Sequence, residues 1–441
     1  MNTKFDKTAF GKRGVVICLL LLLVSLCAPA AQAQTRLVVR DSLGLPGINL
    51  TCALVGCNVL HGLGDPQGQL FVVSFPPILS PVVALLKLNL QLGIVGVEVD
   101  QTIVARDSGA NTAPNYLSDH VPTNYYGTMV WHGYLVQPGN QLIRSATARS
   151  SFGATGLGTT VAVIDTGVDP THPALQGVLV SGYDFTRNVS GGSEASDVNA
   201  SPDPTEADAA TVNQRTVAVL DQRTVAVLDG SGYSAFGHGT MTAGIVHLVA
   251  PQAKIMPLKA FGPSGSGYES DILRAIYYAV QNHANVMNMS FDFATNSKEL
   301  ANAVKYAQGQ GVVVVASAGN DGKYEYVYPG ALPNVINVAS TSNQDGQSTF
   351  TNYGTPPVFM AAPGEGIMTL YPWGTYAAGW GTSFSTPMVA GTAALMLGKN
   401  GNCTAARVTS GLEHAAVIFN PALGWGRLDT YLAVKSCHSL F

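Results

Sequence analysis

The chain has 441 residues with a formal net charge of −4, 46% hydrophobic residues, only 11% charged ones, 48 Gly and 24 Pro. At about 150 residues per domain this length gives two to three domains and at least one large core. The low charge excludes a disordered polyelectrolyte tail and a coiled coil, and nothing in it suggests a nucleic-acid partner.

Residues 1–33 read as an export signal. Lys4, Lys7, Lys12 and Arg13 precede the uncharged run Val15–Cys27, and Ala31-Gln32-Ala33 offers the small residues a signal peptidase requires. The apolar run falls short of the roughly 20 residues a bilayer span needs, so cleavage after Ala33 is expected to leave no membrane anchor. Leu26 is too large for the position before a lipidated cysteine, which argues against an anchor through Cys27. Cys18 and Cys27 leave with the signal, and four cysteines remain for an oxidising compartment. Pairing by domain joins Cys52 with Cys57 and Cys403 with Cys437. The alternative, Cys52, Cys57 and His61 as metal ligands, has no fourth ligand nearby.

From Arg36 to Asp100 the pattern predicts strands over Leu37–Arg40, Asn58–Leu63, Leu70–Phe75 and Ile94–Asp100, an apolar segment through Cys52 and Cys57, and a helix over Ser80–Leu92. That is a small α+β unit, bounded at 34–105. Lys87, Asn89 and Gln91 interrupt Val82–Val97, so it is no membrane segment. Residues 106–140 read as a linker and an N-terminal arm, the exposed run Asp107-Ser108-Gly109-Ala110-Asn111 being open to proteolysis.

Over 141–437 apolar strand runs, Val161–Asp165, Lys254–Lys259, Asn285–Ser290, Val312–Ala316 and Val335–Ala339, alternate with helical patterns. Ile272, Ala275, Ile276, Ala279 and Val280 share one helical face, as do Leu300, Ala303, Val304 and Ala307. Alternation of this kind predicts an α/β, three-layer, doubly wound domain with a mostly parallel sheet. An insertion near 186–232 carries the tandem repeat Gln214–Asp221 and Gln222–Asp229, read as a duplication in a surface loop or as a β insertion that gates an active site or binds something.

Three reactive side chains lie at element ends with glycine beside them. Asp165 closes Val-Ala-Val-Ile-Asp, His238 lies in Gly237-His-Gly-Thr240, and Ser383 lies in Gly381-Thr-Ser383 at a helix start. A serine hydroxyl needs an imidazole to take its proton, and the imidazole needs a carboxylate to fix its tautomer. Asn320, ending Ala316-Ser-Ala-Gly-Asn320, offers an amide donor for the negative oxygen of a tetrahedral intermediate.

The order Asp, His, Ser with these motifs resembles the subtilisin-like serine peptidases, or subtilases. Further matching pieces are Val163–Asp169, Asn288-Met-Ser290, Phe350–Gly354, Ala362-Pro-Gly364, Pro387 and Gly424-Trp-Gly426, so the resemblance spans about residues 140–435. It implies a secreted serine endopeptidase with Asp165, His238 and Ser383 as the triad and Asn320 as the oxyanion donor. Residues 36–100, closing in Val97–Asp100, are similar in element order to the family's inhibitory propeptides, so self-cleavage between about Asp100 and Tyr126 is expected. The resemblance also implies that substrates add as a strand between two segments, here Gly265-Ser266-Gly267 and the run from Ser290 through Asp292, with Gly319 beside them.

The chain departs from the family in places. Gly244–Pro251 runs straight into Lys254 without room for the family's main calcium loop, so no metal and no cofactor are expected, although acids in Asp197–Asp208 leave another calcium site open. Ser290-Phe-Asp-Phe293 puts bulk and a carboxylate where the family has glycine. Asp292 is read either as favouring basic substrate residues or as satisfied by local backbone. Val327 stands where a small residue is common at the pocket floor. The partners expected are polypeptide substrates and the chain's own propeptide; a monomer is expected, with no membrane contact after signal cleavage. The rival reading is a catalytically silent exported scaffold.

Overall fold

A computed structural model of the protein describes residues 34–103, 114–197, 235–418 and 420–438. The export signal expected at 1–33 and the repeat Gln214–Asp229 lie outside the described residues. The chain separates into two units, one made of the described residues up to His61 with Phe71–Val99, the other of Gly62–Leu70 with the chain from Asp100 onward.

The first unit follows from short apolar runs punctuated by turns. Strands β1 (Thr35–Asp41), β2 (Asn58–Gly62), β3 (Leu70–Phe75) and β4 (Ile94–Val99) form one sheet in the order β2-β3-β1-β4, with β1 and β4 antiparallel. The helix expected over Ser80–Leu92 covers Pro81–Asn89, and the Ser80 hydroxyl accepts from the Val83 N–H to cap it. A second helix, Gly44–Val55, replaces the unassigned apolar segment. Its Gly44-Leu-Pro-Gly47 start is made of helix breakers, so local propensity hides it. Packing wins: Ile48 and Cys52 join Leu37, Val39, Val73, Ala84 and Leu88 in the unit's core. Gly47 is required there, because a Cβ would fall 2.7 Å from an Asp41 carboxylate oxygen. Cys52 and Cys57 are disulfide-bonded.

In the second unit a short strand, β5 (Thr102–Ile103), and a hairpin, β6 (Pro122–Tyr125) with β7 (Thr128–Trp131), precede the main sheet. Beyond them come β8 (Thr160–Asp165), β9 (Gly182–Asp184), β10 (Val189–Gly191), β11 (Lys254–Lys259), β12 (Gly267–Tyr268), β13 (Val286–Met289), β14 (Val313–Ser317), β15 (Ile336–Thr341) and β16 (Met360–Pro363). Eight of these make one sheet in the order β10-β9-β11-β8-β13-β14-β15-β16, parallel throughout except for the β9–β10 pair. Val161 and Val163 pack with the helices His238–Val249 and Thr382–Leu397, while the intervening Ala162 and Ile164 are equally buried, so both faces of the sheet are covered. The α/β class follows from this. A last hairpin, β17 (Ile367–Tyr371) with β18 (Thr375–Gly379), precedes the Thr382 helix. Cys403 and Cys437 are joined near the end of the chain.

Parallel register decides where chemistry can gather. Val161 of β8 pairs with Val286 of β13, and Val286 with Val313 of β14. The carboxyl ends of the three central strands therefore lie along one edge, and Asp165, Ser290 and the Ser317–Asn320 turn emerge there together.

Candidate active site

Asp165 is the last residue of β8 and His238 the first of its helix. The His238 Nδ1 lies 2.7 Å from Asp165 Oδ1. The same carboxylate oxygen accepts from the Thr166 N–H at 2.7 Å, and Oδ2 accepts from the Thr242 hydroxyl at 3.2 Å. Three donors from three directions hold the carboxylate in one pose. The two segments can come this close only through glycine: a Cβ on Gly239 would fall 1.9 Å from the Gly167 carbonyl oxygen. Burial acts to lower the His238 pKa, but the Asp165 charge and hydrogen bond, aided by the Glu194 charge, outweigh it and raise the group above 6.5.

Ser383 is the second residue of the Thr382–Leu397 helix, so its backbone N–H is one of the four at a helix start without an intrahelical partner. Its hydroxyl donates to the Ser290 carbonyl at 3.2 Å, and the Ser290 hydroxyl donates back to the Ser383 carbonyl at 2.9 Å. Ser290 thereby ties the end of β13 to the nucleophile segment. Asn320 sits opposite. Its Oδ1 accepts from the Thr382 N–H at 2.9 Å and from the Thr382 hydroxyl at 3.0 Å, which leaves the Nδ2 donors facing away from Thr382. Gly381, at φ 146°, precedes this turn in a backbone conformation that L side chains rarely adopt, which favours glycine there.

The expected substrate-binding residues form two edges. Gly267 begins β12, which pairs with β5 through Gly267↔Ile103 and Tyr268↔Thr102, and Gly265 and Ser266 form the turn before it, where the Gly262 N–H donates to the Ser266 carbonyl. On the other side Phe293 and Tyr328 exchange backbone hydrogen bonds, and the Phe291 ring stands 5.0 Å from that of Phe261. An Asp292 carboxylate oxygen lies 3.5 Å from where a Gly319 Cβ would be. Val327 is buried.

Several residues of the site carry no mark in the sequence. Thr242 and Thr382 hold Asp165 and Asn320; Thr382 belongs to a matched motif and Thr242 lies just beyond one, and only the fold shows what their hydroxyls touch. Lys259, fully buried at the end of β11, donates to the Thr166 and Phe261 carbonyls and pairs with Asp197. Asp197 also pairs with Arg187, so the first acid of the run considered for calcium is already occupied by two cations. Glu194 is buried beneath the start of the His238 helix, 43 residues in sequence from Gly237, to which it bonds.

A carboxylate-bound imidazole, a serine at a helix start and an amide pinned beside it define a serine hydrolase built on a parallel α/β sheet. The model of the Subtilase family matches residues 156–431, and the chain belongs to that family. It is 34% identical over 295 residues to thermitase of Thermoactinomyces vulgaris, covering 64% of this chain and 90% of that protein. It is 32% identical over 333 residues to a thermophilic serine proteinase of Bacillus sp. strain AK1, covering 73% of each. Among solved structures, fervidolysin from Fervidobacterium pennivorans, described as a keratinolytic enzyme related to subtilisin, matches with a TM-score of 0.69 at 23% identity. That match covers 93% of this chain and 62% of fervidolysin, and it bears on the fold. The protein is a subtilisin-like serine peptidase.

Proposed function

We propose that the chain is a secreted endopeptidase, made as an autoinhibited precursor, that cleaves polypeptides through an acyl-enzyme on Ser383. His238 Nε2 takes the Ser383 proton as Oγ attacks the scissile carbonyl, and then gives it to the leaving amine. Asp165 holds the imidazole in the tautomer that leaves Nε2 free and stabilises the imidazolium. The Asn320 Nδ2 and the Ser383 N–H stabilise the oxyanion. Water then attacks the acyl-enzyme, with His238 again as base. The chemistry uses side chains and backbone alone. The observation that carries this reading is the His238–Asp165 hydrogen bond set beside the Asn320 amide oriented by Thr382.

Autoinhibition is supported by the chain segment that follows β4. Thr102–Ile103 lies as an antiparallel strand on Gly267–Tyr268, the edge expected to receive a substrate strand. The Asp100 carboxylate accepts from the Ser270 N–H at 3.0 Å and from its hydroxyl at 2.9 Å, and the Gln101 carbonyl accepts from the Glu269 N–H. These bonds anchor the segment at the start of the helix Glu269–Gln281. Export is supported by the signal pattern and by two disulfides, which persist in oxidising compartments. No helix among the described residues is long and apolar enough to cross a membrane.

The test is intact mass before and after a fluorophosphonate probe, with Ser383→Ala alongside. One adduct on a shortened chain, absent in a full-length Ser383→Ala protein, is expected. A chain freed of its first 105 residues by limited proteolysis that still takes no probe would refute the enzyme reading in favour of a silent scaffold.

A further inference from the structure

Behind the His238–Asp165 pair lies a second carboxyl group that the reaction as written does not use. We propose that Glu194 is a positioning residue: its carboxyl group clamps the turn that follows Asp165 to the first turn of the His238 helix and so fixes the geometry of the pair. The proposal rests on the roles given above to Asp165, His238 and Ser383.

Glu194 is completely buried. Oε2 accepts from the Thr166 hydroxyl at 3.1 Å and from the Gly237 N–H at 3.0 Å; Oε1 accepts from the Thr240 N–H at 3.2 Å and from the Thr240 hydroxyl. Each hydroxyl is itself oriented. Thr166 Oγ1 accepts from the Gly239 N–H at 2.9 Å, and Thr240 Oγ1 accepts from the Asp169 N–H at 2.7 Å, so each directs its own proton toward Glu194. One side chain therefore receives a donor from Thr166, the residue after Asp165, and donors from Gly237, just before His238, and Thr240, two residues after it. The backbone of Glu194 is seated just as tightly, since a Cβ on Gly167 would fall 2.7 Å from its nitrogen.

A cap that served only the fold would need the Gly237 and Thr240 donors. The bond to Thr166 adds the other half of the clamp, because Thr166 supplies the N–H that Asp165 Oδ1 accepts beside His238. The charged and titratable groups around Glu194 are Asp165, His238, Lys259 and Tyr371. Burial raises the Glu194 carboxyl to about 8, against the pull of the Thr240 hydrogen bond and the Lys259 ammonium. The ionised form accepts all four donors. A proton on the carboxyl brings a fifth hydrogen among them and slackens the clamp.

The test compares wild type with Glu194→Gln, Thr166→Val, Thr166→Ser and the Glu194→Gln/Thr166→Val double variant, each counted by fluorophosphonate titration so that only competent sites enter kcat. Glu194→Gln is expected to lower kcat per titrated site at least about tenfold with KM within about twofold, since positioning is lost and substrate contacts are kept. The double variant should be little worse than Glu194→Gln, because both changes open the same clamp. Wild-type kcat should keep rising through about pH 8, a rise that Glu194→Gln lacks. Thr166→Ser, which keeps the hydroxyl, should restore what Thr166→Val loses, and this arm stands even where Glu194→Gln fails to accumulate. The clamp is overturned by a Glu194→Gln kcat within threefold of wild type, by single losses that multiply in the double variant, or by Thr166→Val matching Thr166→Ser. Wild type that takes no probe once the propeptide is gone would instead fail the enzyme reading, and the clamp with it.

Discussion

Replacing Asn320 separates an oxyanion donor from a structural amide. Thr382 binds Oδ1 twice, at 2.9 and 3.0 Å, so the amide cannot flip without losing the bond from the Thr382 N–H, and Nδ2 is the donor proposed for the substrate oxygen. Removing one such donor costs about 3 to 4 kcal/mol in the transition state, so Asn320→Ala should lower kcat about 10²- to 10³-fold with KM little changed. Asn320→Asp keeps both bonds to Thr382 but sets an anion against the developing oxyanion, so it should lose more than Asn320→Ala. Thr382→Val removes one of the two bonds that orient the amide, and a hydrogen bond of about 1 kcal/mol makes that about a fivefold loss. The assay is kcat and KM on a peptide anilide, corrected for titrated active sites. Asn320→Ala within threefold of wild type, or Asn320→Asp more active than Asn320→Ala, would refute the reasoning.

The acid limb of kcat/KM should be centred above pH 6.5, because only the neutral imidazole accepts the Ser383 proton and the Asp165 interaction raises the pH at which His238 gives up its own. A limb centred below 6.5 in a pH–rate profile would contradict that sign. The Cys403–Cys437 bond, spanning 34 residues, should contribute about 4 kcal/mol by constraining the unfolded chain. Urea unfolding of the Cys403→Ser/Cys437→Ser variant should show this loss, and equal midpoints would count against it.

Much of the site is legible along the chain because each reactive residue ends or begins an element whose pattern is local. Lys254–Lys259 reads as a strand and is one, and Val161–Asp165 differs from β8 only by Thr160 at its start. Gly44–Val55 escapes such a reading: glycine and proline at its start speak against a helix, and only the core it fills decides otherwise. Met360–Pro363 is too short to carry a period, and becomes a strand by pairing with β15.

The sequence by itself determined which chemistry is present: a carboxylate, an imidazole, a hydroxyl and an amide, each in a short run whose glycines allow close approach. What brings them together is the parallel register of β8, β13 and β14 with the two helices that begin at His238 and Thr382, and that is tertiary. Glu194 shows the difference most plainly. It lies 28 residues beyond Thr166 and 46 before Thr240, so no local pattern connects it to either. Its role exists only because burial removes water and leaves the donors of both segments a single acceptor to share.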